Sequence, residues 1–271
     1  MYPSRKMIKT KLQFWITHEK INEWLKDKKI FFILTIGRSG TLFLSHLLNK
    51  SENALVVHEK VRSDFRAYKE AFYSEKDAYK YINKFRKREI YIRNVNENIE
   101  IYGEVNSVLR RHCNAIKKSF PNAIIFHLIR DGRDVVRSMM SRQTMTNKDK
   151  NTKNIAPKKE SSWYGIWEEM NRFQRLCWYW DIENRYLNKN VDLLIKFEDI
   201  LSNYEYFKDK VLDIIGLDIP KEIWQNELNF PKNITPDYKF PHWNDWDHNY
   251  RKSFIQICGQ TMSVNGYELN F

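Results

Sequence analysis

An uninterrupted apolar segment near the start of the chain is the feature that most limits the fold. Residues 30–36 read IFFILTI. A run of this length and character predicts a strand buried on both faces, as in a parallel sheet. Residues 37–41, GRSGT, interrupt it, and residues 42–50 have helical character. The chain is therefore predicted to open as a strand, a glycine-containing loop and a helix.

The loop between this strand and helix has the properties of an anion-binding site. Backbone N–H groups at a helix N-terminus lack intrahelical partners, and the helix dipole favours negative charge there. Gly37 and Gly40 allow close approach of the backbone, and Ser39 and Thr41 offer hydroxyl donors. Arg38 adds a permanent cation. A Walker A loop is excluded because no Gly-Lys-Ser/Thr sequence is present, whereas an ordinary strand-to-helix turn remains the alternative.

A second loop of similar character follows another apolar strand, residues 123–129. It reads RDGRDVVRSMMSR over residues 130–142. Arg130 stands at the carboxyl end of the strand, where open parallel sheets bind ligands. In a helix starting near Asp131, Ser138 and Arg142 share one face, so the three side chains could converge on a second phosphate. The alternative is a solvated helix face with Asp–Arg pairs.

Strands alternate with helical segments along the rest of the chain. Further strands are predicted at 54–57, 99–103 and 191–195, and helices at 108–120, 135–142, 163–188 and 204–216. This alternation predicts an α/β fold, a P-loop-like parallel β-sheet flanked by helices on both faces, forming one domain over residues 1–271. Within it, residues 1–29 are predicted to form a helical lead-in, 61–98 a helical insertion and 143–162 a mobile loop.

Composition narrows the setting of the protein. The 271 residues carry a formal net charge of +12, which favours an anionic partner, although a basic surface without a partner is equally consistent. The cysteines, Cys113, Cys177 and Cys258, have no spacing typical of a zinc site or a disulfide framework. We find neither a membrane-length apolar run nor a secretory signal. These features predict a cytoplasmic protein without stable membrane insertion.

Together, GRSGT and IRDGRDVVRSMMSR resemble the donor motifs of the PAPS-dependent sulfotransferase superfamily, and are closest to tyrosylprotein sulfotransferases and their bacterial relatives. The resemblance implies a donor, 3′-phosphoadenosine-5′-phosphosulfate (PAPS), a product, PAP, and no metal. The implied donor-binding residues are Gly37, Arg38, Ser39, Gly40 and Thr41 for the 5′-phosphosulfate, with Arg130, Ser138 and Arg142 for the 3′-phosphate. One departure is Leu42, where many members carry a second threonine.

The catalytic roles follow from this resemblance and from the chemistry of the step. Arg38 would stabilise charge on the leaving phosphate oxygen, and the acceptor needs a general base. Glu59 is the first candidate, because related families place a catalytic glutamate after the second strand. His58 is the second candidate, ranked below Glu59 because alternation along the strand would point its side chain away from that of Glu59. Glu104 is the rival after the third strand, with a structural carboxylate paired to arginine as its alternative.

The sequence says less about the acceptor than about the donor. Lys239 and Trp243 are candidates for its surroundings. We expect an in-line transfer to a hydroxyl or amine of a small molecule or glycan, with a peptide tyrosine as the alternative. A nucleotide-dependent phosphotransferase would need a loop lysine, which is absent. A non-enzymatic nucleic-acid binder would carry a continuous basic stripe, whereas the distinctive arginines here cluster at two strand ends. We expect no nucleic-acid partner, and a homodimer is left open.

Overall fold

The computed structural model describes residues 17–59, 61, 63–149, 155–230, 232, 235 and 237–271. Its strands are β1 (Lys29–Leu34), β2 (Ala54–His58), β3 (Ile101–Asn106), β4 (Ile124–Ile129) and β5 (Leu193–Lys196). The first helices are α1 (His18–Lys26), α2 (Thr41–Leu48), α3 (Ser63–Tyr73), α4 (Glu75–Lys80), which continues through a π-helical stretch (Tyr81–Arg86), and α5 (Lys87–Asn94). Next come a 3₁₀ turn (Arg110–His112), α6 (Cys113–Ser119), α7 (Gly132–Met140), α8 (Arg172–Asn190) and α9 (Phe197–Ser202). The last are α10 (Tyr204–Phe207), a π-helical stretch (Lys208–Leu212), α11 (Asp213–Ile215), α12 (Lys221–Leu228), a 3₁₀ turn (Trp243–Asp245) and α13 (His248–Val264).

The five strands form one parallel sheet in the order β2-β3-β1-β4-β5. Leu34, the last residue of β1, lies level with Asn106 of β3 and His127 of β4. On one flank His58 lies level with Val105, and on the other Ile129 lies level with Lys196. Because the strands are parallel and end near the same level, the segments that follow them meet along one edge of the sheet. The predicted α/β architecture is confirmed.

Strand β1 is buried on both faces, as its apolar run predicts. Phe31 and Ile33 belong to a core cluster that includes α2 and residues 197–219. Phe32 and Leu34 belong to a second cluster with α6 and the helices α3 to α5. A third cluster lies around α8 and α13. Helices therefore cover both faces of the sheet, and β1 lies at its centre.

Two predicted helices have different ends in the structure. The segment predicted as a helix over 163–188 begins at Arg172, because the side chain of Asn171 caps the backbone of Gln174 and the side chain of Gln174 returns a bond to Asn171. Trp163 and Trp167 lie in turns before it. The helix predicted over 135–142 ends at Met140, so Arg142 lies in the turn that follows rather than on the helical face with Ser138.

The structure describes parts of the predicted lead-in, insertion and loop. Helices α3 to α5 occupy the predicted insertion, and α1 lies in the lead-in, whose residues 1–16 are outside the described part. Residues 143–149 and 155–162 contain turns but no helix or strand. The mobility expected of 143–162 stays a prediction. No helix within the described residues is long and apolar enough to cross a membrane.

Candidate active site

The loop after β1 has the tight geometry of a strand-to-helix turn. Gly40 is the N-cap residue of α2 and has φ of 82°, a left-handed conformation. A Cβ on Gly40 would lie 2.1 Å from the ring of Phe197, so only glycine fits here. Arg38, two residues earlier, also has a positive φ, of 75°. A non-glycine residue is strained in that region, and such strain is concentrated at functional sites.

Arg38 joins the loop after β1 to the helix after β4. Its Nε donates a hydrogen bond to Oγ of Ser138 at 2.8 Å, and its Nη2 donates to Oγ1 of Thr235 at 3.3 Å. Nη1 of Arg130 donates to the carbonyl of Arg38 at 3.1 Å. Burial, reinforced by the positive charge of Arg142, lowers the pKa of Arg38. The cluster concentrates positive charge and hydroxyl groups at the ends of two adjacent strands, which suits an anion.

Two buried polar atoms near this cluster lack a protein partner among the described residues. They are Oγ of Ser39, whose side chain is fully buried, and Nε of Arg130. Buried hydrogen-bonding groups are normally satisfied, so each asks for an explanation. A phosphate or sulfate oxygen is an acceptor that would satisfy both kinds of donor.

Glu59 follows β2 directly and is held from the neighbouring strand. It has φ of 36°, so the chain turns sharply where the strand ends. Its Oε1 accepts hydrogen bonds from the backbone N–H of Ser107, at 3.1 Å, and from the hydroxyl of Ser107.

His58 lies on the same side as Glu59, which corrects the expectation that it points away. Strand β2 ends at His58, so the alternation of a continuing strand does not apply. Nε2 of His58 lies 2.8 Å from Oγ1 of Thr41 and 3.8 Å from Oε1 of Glu59. Burial lowers the pKa of His58, opposed by the charge of Glu59. His58 is therefore a partner of the loop that begins α2.

Two cavities meet at this edge of the sheet. We call the first the phosphate-loop cleft; it has a volume of about 380 Å³. The residues that line it include Gly40, Thr41, Leu42, His58, Glu59, Arg130, Phe197, Thr235 and Tyr238. The second, the tyrosine-lined cavity, has a volume of about 440 Å³. Its lining includes Phe65, Tyr68, Val108, Arg110, Met139 and Tyr179. Gly37, Arg38 and Ser107 line both cavities and form their boundary.

Glu104 does not reach either cavity. It is fully buried within β3, where its carboxylate accepts hydrogen bonds from Arg86 at 2.6 and 3.1 Å and from the hydroxyl of Tyr102 at 2.9 Å. This arrangement matches the alternative of a structural carboxylate paired with an arginine. The third strand was predicted to end at Gly103, but β3 continues to Asn106. Glu104 therefore lies within the strand rather than after it, and its side chain points into the protein interior.

Three other predicted residues lie around the site rather than in the linings of these cavities. Arg142 is exposed in the turn after α7, and its carbonyl accepts a hydrogen bond from Arg172 at 2.6 Å. Trp243 packs on the guanidinium of Arg133, whose central carbon lies 4.1 Å from a ring centre of Trp243. Neither Trp243 nor Lys239 is among the residues found in the two linings.

Two residues of the site, Thr235 and Ser107, were not predicted from the sequence. Thr235 lies in a segment without periodicity, and Ser107 follows β3 with no motif around it. The hydroxyl of Thr235 lies 3.4 Å from that of Ser138. No local signal marks either residue. The only clue was that polar side chains just after strand ends are well placed for ligands.

Comparisons with known proteins identify the family of the chain. The sulfotransferase family model matches residues 75–221, just over half of the chain. A sulfotransferase from Alicyclobacillus acidocaldarius is 14% identical, with 89% of this chain and 97% of that chain covered and a TM-score of 0.49. A sulfotransferase domain from the curacin biosynthetic pathway is 13% identical, with 90% and 99% covered and a TM-score of 0.49. Mouse sulfotransferase SULT7A1, solved in complex with PAP, is 13% identical, with 91% and 92% covered and a TM-score of 0.45. No curated protein gives a sequence match. The chain belongs to the sulfotransferase family.

Proposed function

We propose that this sulfotransferase takes a sulfuryl group from PAPS and transfers it to a hydroxyl group of a small-molecule acceptor. The observation that carries the proposal is the bond between Arg38 and Ser138, 2.8 Å long, which joins two strand-end elements into one cluster. PAPS carries anionic groups at both ends of its ribose. A cluster built from two anion-binding elements suits such a donor better than it suits ATP.

In this proposal the phosphate-loop cleft holds the donor. Gly37, Ser39 and Gly40 bring backbone N–H groups and the buried Ser39 hydroxyl to the 5′-phosphosulfate, with Thr41 at the start of α2. Ser138 and Arg130 hold the 3′-phosphate. Arg142 contributes charge from the adjoining turn, in keeping with its effect on the pKa of Arg38. No group of three or more metal-binding side chains was found in the described part of the chain, and the arginines supply the positive charge in this scheme.

The chemical step is an in-line displacement at sulfur. The acceptor oxygen forms a bond to sulfur as the bond from sulfur to the 5′-phosphate oxygen breaks, and PAP leaves. Glu59 takes the acceptor proton, and Arg38 stabilises the charge that grows on the phosphate oxygen. Arg38 and Ser107 line both cavities, and Ser107 holds Glu59. Arg38 therefore lies at the boundary between the two cavities, and Glu59 lines the phosphate-loop cleft beside Ser107 of that boundary.

The tyrosine-lined cavity is the proposed acceptor site. Phe65, Tyr68, Val108, Met139 and Tyr179 give it an apolar, aromatic wall. Its volume of about 440 Å³ lies in the range of small-molecule pockets. Another part of the lining is polar and includes Gln143, Thr144, Lys148 and Asp149. We favour a compact acceptor whose apolar body packs on the aromatic wall and whose polar groups meet these side chains. Transfer to an amine, a glycan or a peptide tyrosine is a competing outcome of the tests below.

Donor recognition is tested by calorimetric titration with PAP, with ATP and Mg²⁺, and with duplex DNA. We expect saturable binding of PAP and much weaker binding of the other two. Tight binding of ATP and Mg²⁺ without a response to PAP would point to a phosphotransferase. Tight binding of DNA alone would point to a nucleic-acid binder.

Acceptor choice is tested by incubating the enzyme with PAPS and separate pools of phenols, aliphatic alcohols, amines, saccharides and a tyrosine peptide. Sulfated products are detected by mass spectrometry. We expect product from the phenol or alcohol pools. The Glu59→Gln variant should keep its affinity for PAP and lose about 10²- to 10⁴-fold in turnover; full turnover would remove Glu59 as the base.

A further inference from the structure

The orientation of Glu59 is set by its neighbour Ser107 rather than by its own strand. Strand β2 ends at His58, and Glu59 has φ of 36°, a left-handed conformation that is strained for a non-glycine residue. Two hydrogen bonds from Ser107 hold Oε1 of its side chain, and Nε2 of His58 lies further away, at 3.8 Å. Displacement of Ser107 would therefore displace the proposed base.

Ser107 lies in a turn that is itself tied down at two points. Oδ1 of Asn106 accepts hydrogen bonds from the backbone N–H of Val108, at 2.8 Å, and of Leu109, at 3.1 Å. Nη1 of Arg110 donates to the carbonyl of Ser107. The backbone of Ser107 thus receives a charged donor on its carbonyl while its own N–H and hydroxyl face Glu59.

Arg110 connects this turn to the wall of the tyrosine-lined cavity. Its Nε donates to Oε2 of Glu183 at 2.7 Å, and its Nη2 donates to the hydroxyl of Tyr179. Its guanidinium carbon lies 4.0 Å from the ring centre of Tyr68. Because the guanidinium is a rigid planar fork, it cannot shift at one of these contacts without disturbing the others. Arg110 is buried, and it lines the cavity together with Tyr68 and Tyr179.

We propose that Arg110 is a positioning residue for sulfuryl transfer. It acts through Ser107 to aim Glu59 at the acceptor, and through Tyr68 and Tyr179 it aligns the wall of the acceptor site with that base. The inference rests on the proposed function, because it takes Glu59 as the base.

The test measures PAP formation from PAPS by Arg110→Gln, Arg110→Lys and Ser107→Ala, each alone and combined with Glu59→Gln. The probe acceptor is 2-naphthol. If the parent enzyme does not sulfate 2-naphthol, the hydrolysis of PAPS by water is measured instead. We expect Arg110→Gln and Ser107→Ala to lower kcat by about 10- to 100-fold, with the KM for PAPS within about twofold of the parent. Arg110→Lys, which keeps a charged donor, should recover part of the loss.

The double variants separate positioning from a merely structural effect. If Arg110 acts through Glu59, its replacement should cause no further loss of kcat when Glu59 is already glutamine. The inference would be overturned if Arg110→Gln lowered kcat by the same factor in the Glu59→Gln variant as in the parent enzyme. Full turnover by both Arg110→Gln and Ser107→Ala would also overturn it.

Control variants guard against loss of folding. Glu183 also pairs with Arg111, at 3.0 Å, so its carboxylate keeps a partner in Arg110→Gln. Thermal unfolding checks this, and Ser107→Ala carries the test if Arg110→Gln does not fold. Arg66→Gln, at an exposed pair with Glu70, and Ser202→Ala, at an exposed helix end, should both keep full turnover. Failure to bind PAP would count against the proposed function; normal PAP binding with unchanged turnover in the variants would count against this inference alone.

Discussion

Nε of Arg38 donates a 2.8 Å hydrogen bond to Oγ of Ser138, 100 residues further along the chain. The two residues were predicted to serve different phosphates of one donor. They meet because β1 and β4 are adjacent in the sheet, with Leu34 level with His127. The bond joins the loop after β1 and the helix α7 into one cluster. A substitution at either residue therefore changes the surroundings of the other.

Ser138→Ala tests the importance of this cluster for the donor. A hydrogen bond to a charged group contributes about 1.5–3 kcal/mol, so the affinity for PAP should fall by roughly 10- to 100-fold, as measured by calorimetry. Ser141→Ala is the matched control, because its hydroxyl bonds to the carbonyl of Arg137 beyond the cluster. If Ser138→Ala bound PAP with unchanged affinity, Ser138 would not be part of the donor site.

Leu42→Thr should strengthen donor binding. Leu42 follows Thr41 at the start of α2, is 38% exposed and lines the phosphate-loop cleft. Its replacement therefore removes little core packing, and the new hydroxyl can add about 1 kcal/mol, or roughly fivefold, to the affinity for PAP. Val264→Thr, at an exposed position on α13, should leave the affinity unchanged. Unchanged or weaker binding by Leu42→Thr would contradict a hydrogen bond from the new hydroxyl to the donor.

Gly40→Ala should destabilise the fold as well as the loop. The new Cβ would meet the Phe197 ring, and φ of 82° adds backbone strain. We expect a loss of about 2–4 kcal/mol in the free energy of unfolding, measured by urea denaturation. Gly165→Ala has no heavy atom within 4 Å of its added Cβ and should be nearly neutral. Equal stability of the two variants would contradict the close approach of Phe197.

Comparison of Glu104→Gln with Glu59→Gln distinguishes a carboxylate that stabilises the fold from one that acts in catalysis. Loss of the Glu104 charge leaves buried Arg86 without its closest ion-pair partner, which should cost about 3 kcal/mol of unfolding free energy. The folded variant should still bind PAP normally. Glu59→Gln should instead keep its stability and lose turnover. A stable Glu104→Gln variant with lost turnover would return Glu104 to the role of base.

Acid should weaken the fold through the buried histidine on β4. Burial lowers the pKa of His127 to about 4, whereas an unfolded histidine has a pKa of about 6.5. Between these values the unfolded chain binds a proton that the folded chain does not, so stability falls as pH falls. His127→Gln should reduce the loss of unfolding free energy between about pH 7 and about pH 5 by about 2 kcal/mol. His248→Gln, at the exposed start of α13, should lose as much as the parent.

Much of the fold was predictable because its signals are local. The apolar runs that became β1 and β4 are continuous over a strand length, and a strand buried on both faces needs no alternation. The alternating strands and helices predicted the parallel sheet. The start of α8 was harder to predict, because tryptophan-rich residues 163–171 share the composition of the helix that follows. The reciprocal cap between Asn171 and Gln174 is what begins the helix at Arg172.

The candidate site was predictable only in part. Its donor motifs stand in contiguous segments, so their residues could be named from the sequence. The direction of His58 depends on where β2 ends, and the inward burial of Glu104 depends on Arg86, 18 residues away. Ser107 and Thr235 have no motif and gain their roles from contacts across the sheet edge.

The sequence by itself determined the strand, loop and helix segments and the chemistry of the two anion-binding loops, because these depend on neighbouring residues. Only the tertiary structure decided which strand ends adjoin. The order β2-β3-β1-β4-β5 places β1 between β3 and β4, and long crossover connections produce that order. It brings Arg38 to Ser138 and Glu59 to Ser107, because pairing between strands far apart in sequence is set by packing of the whole domain.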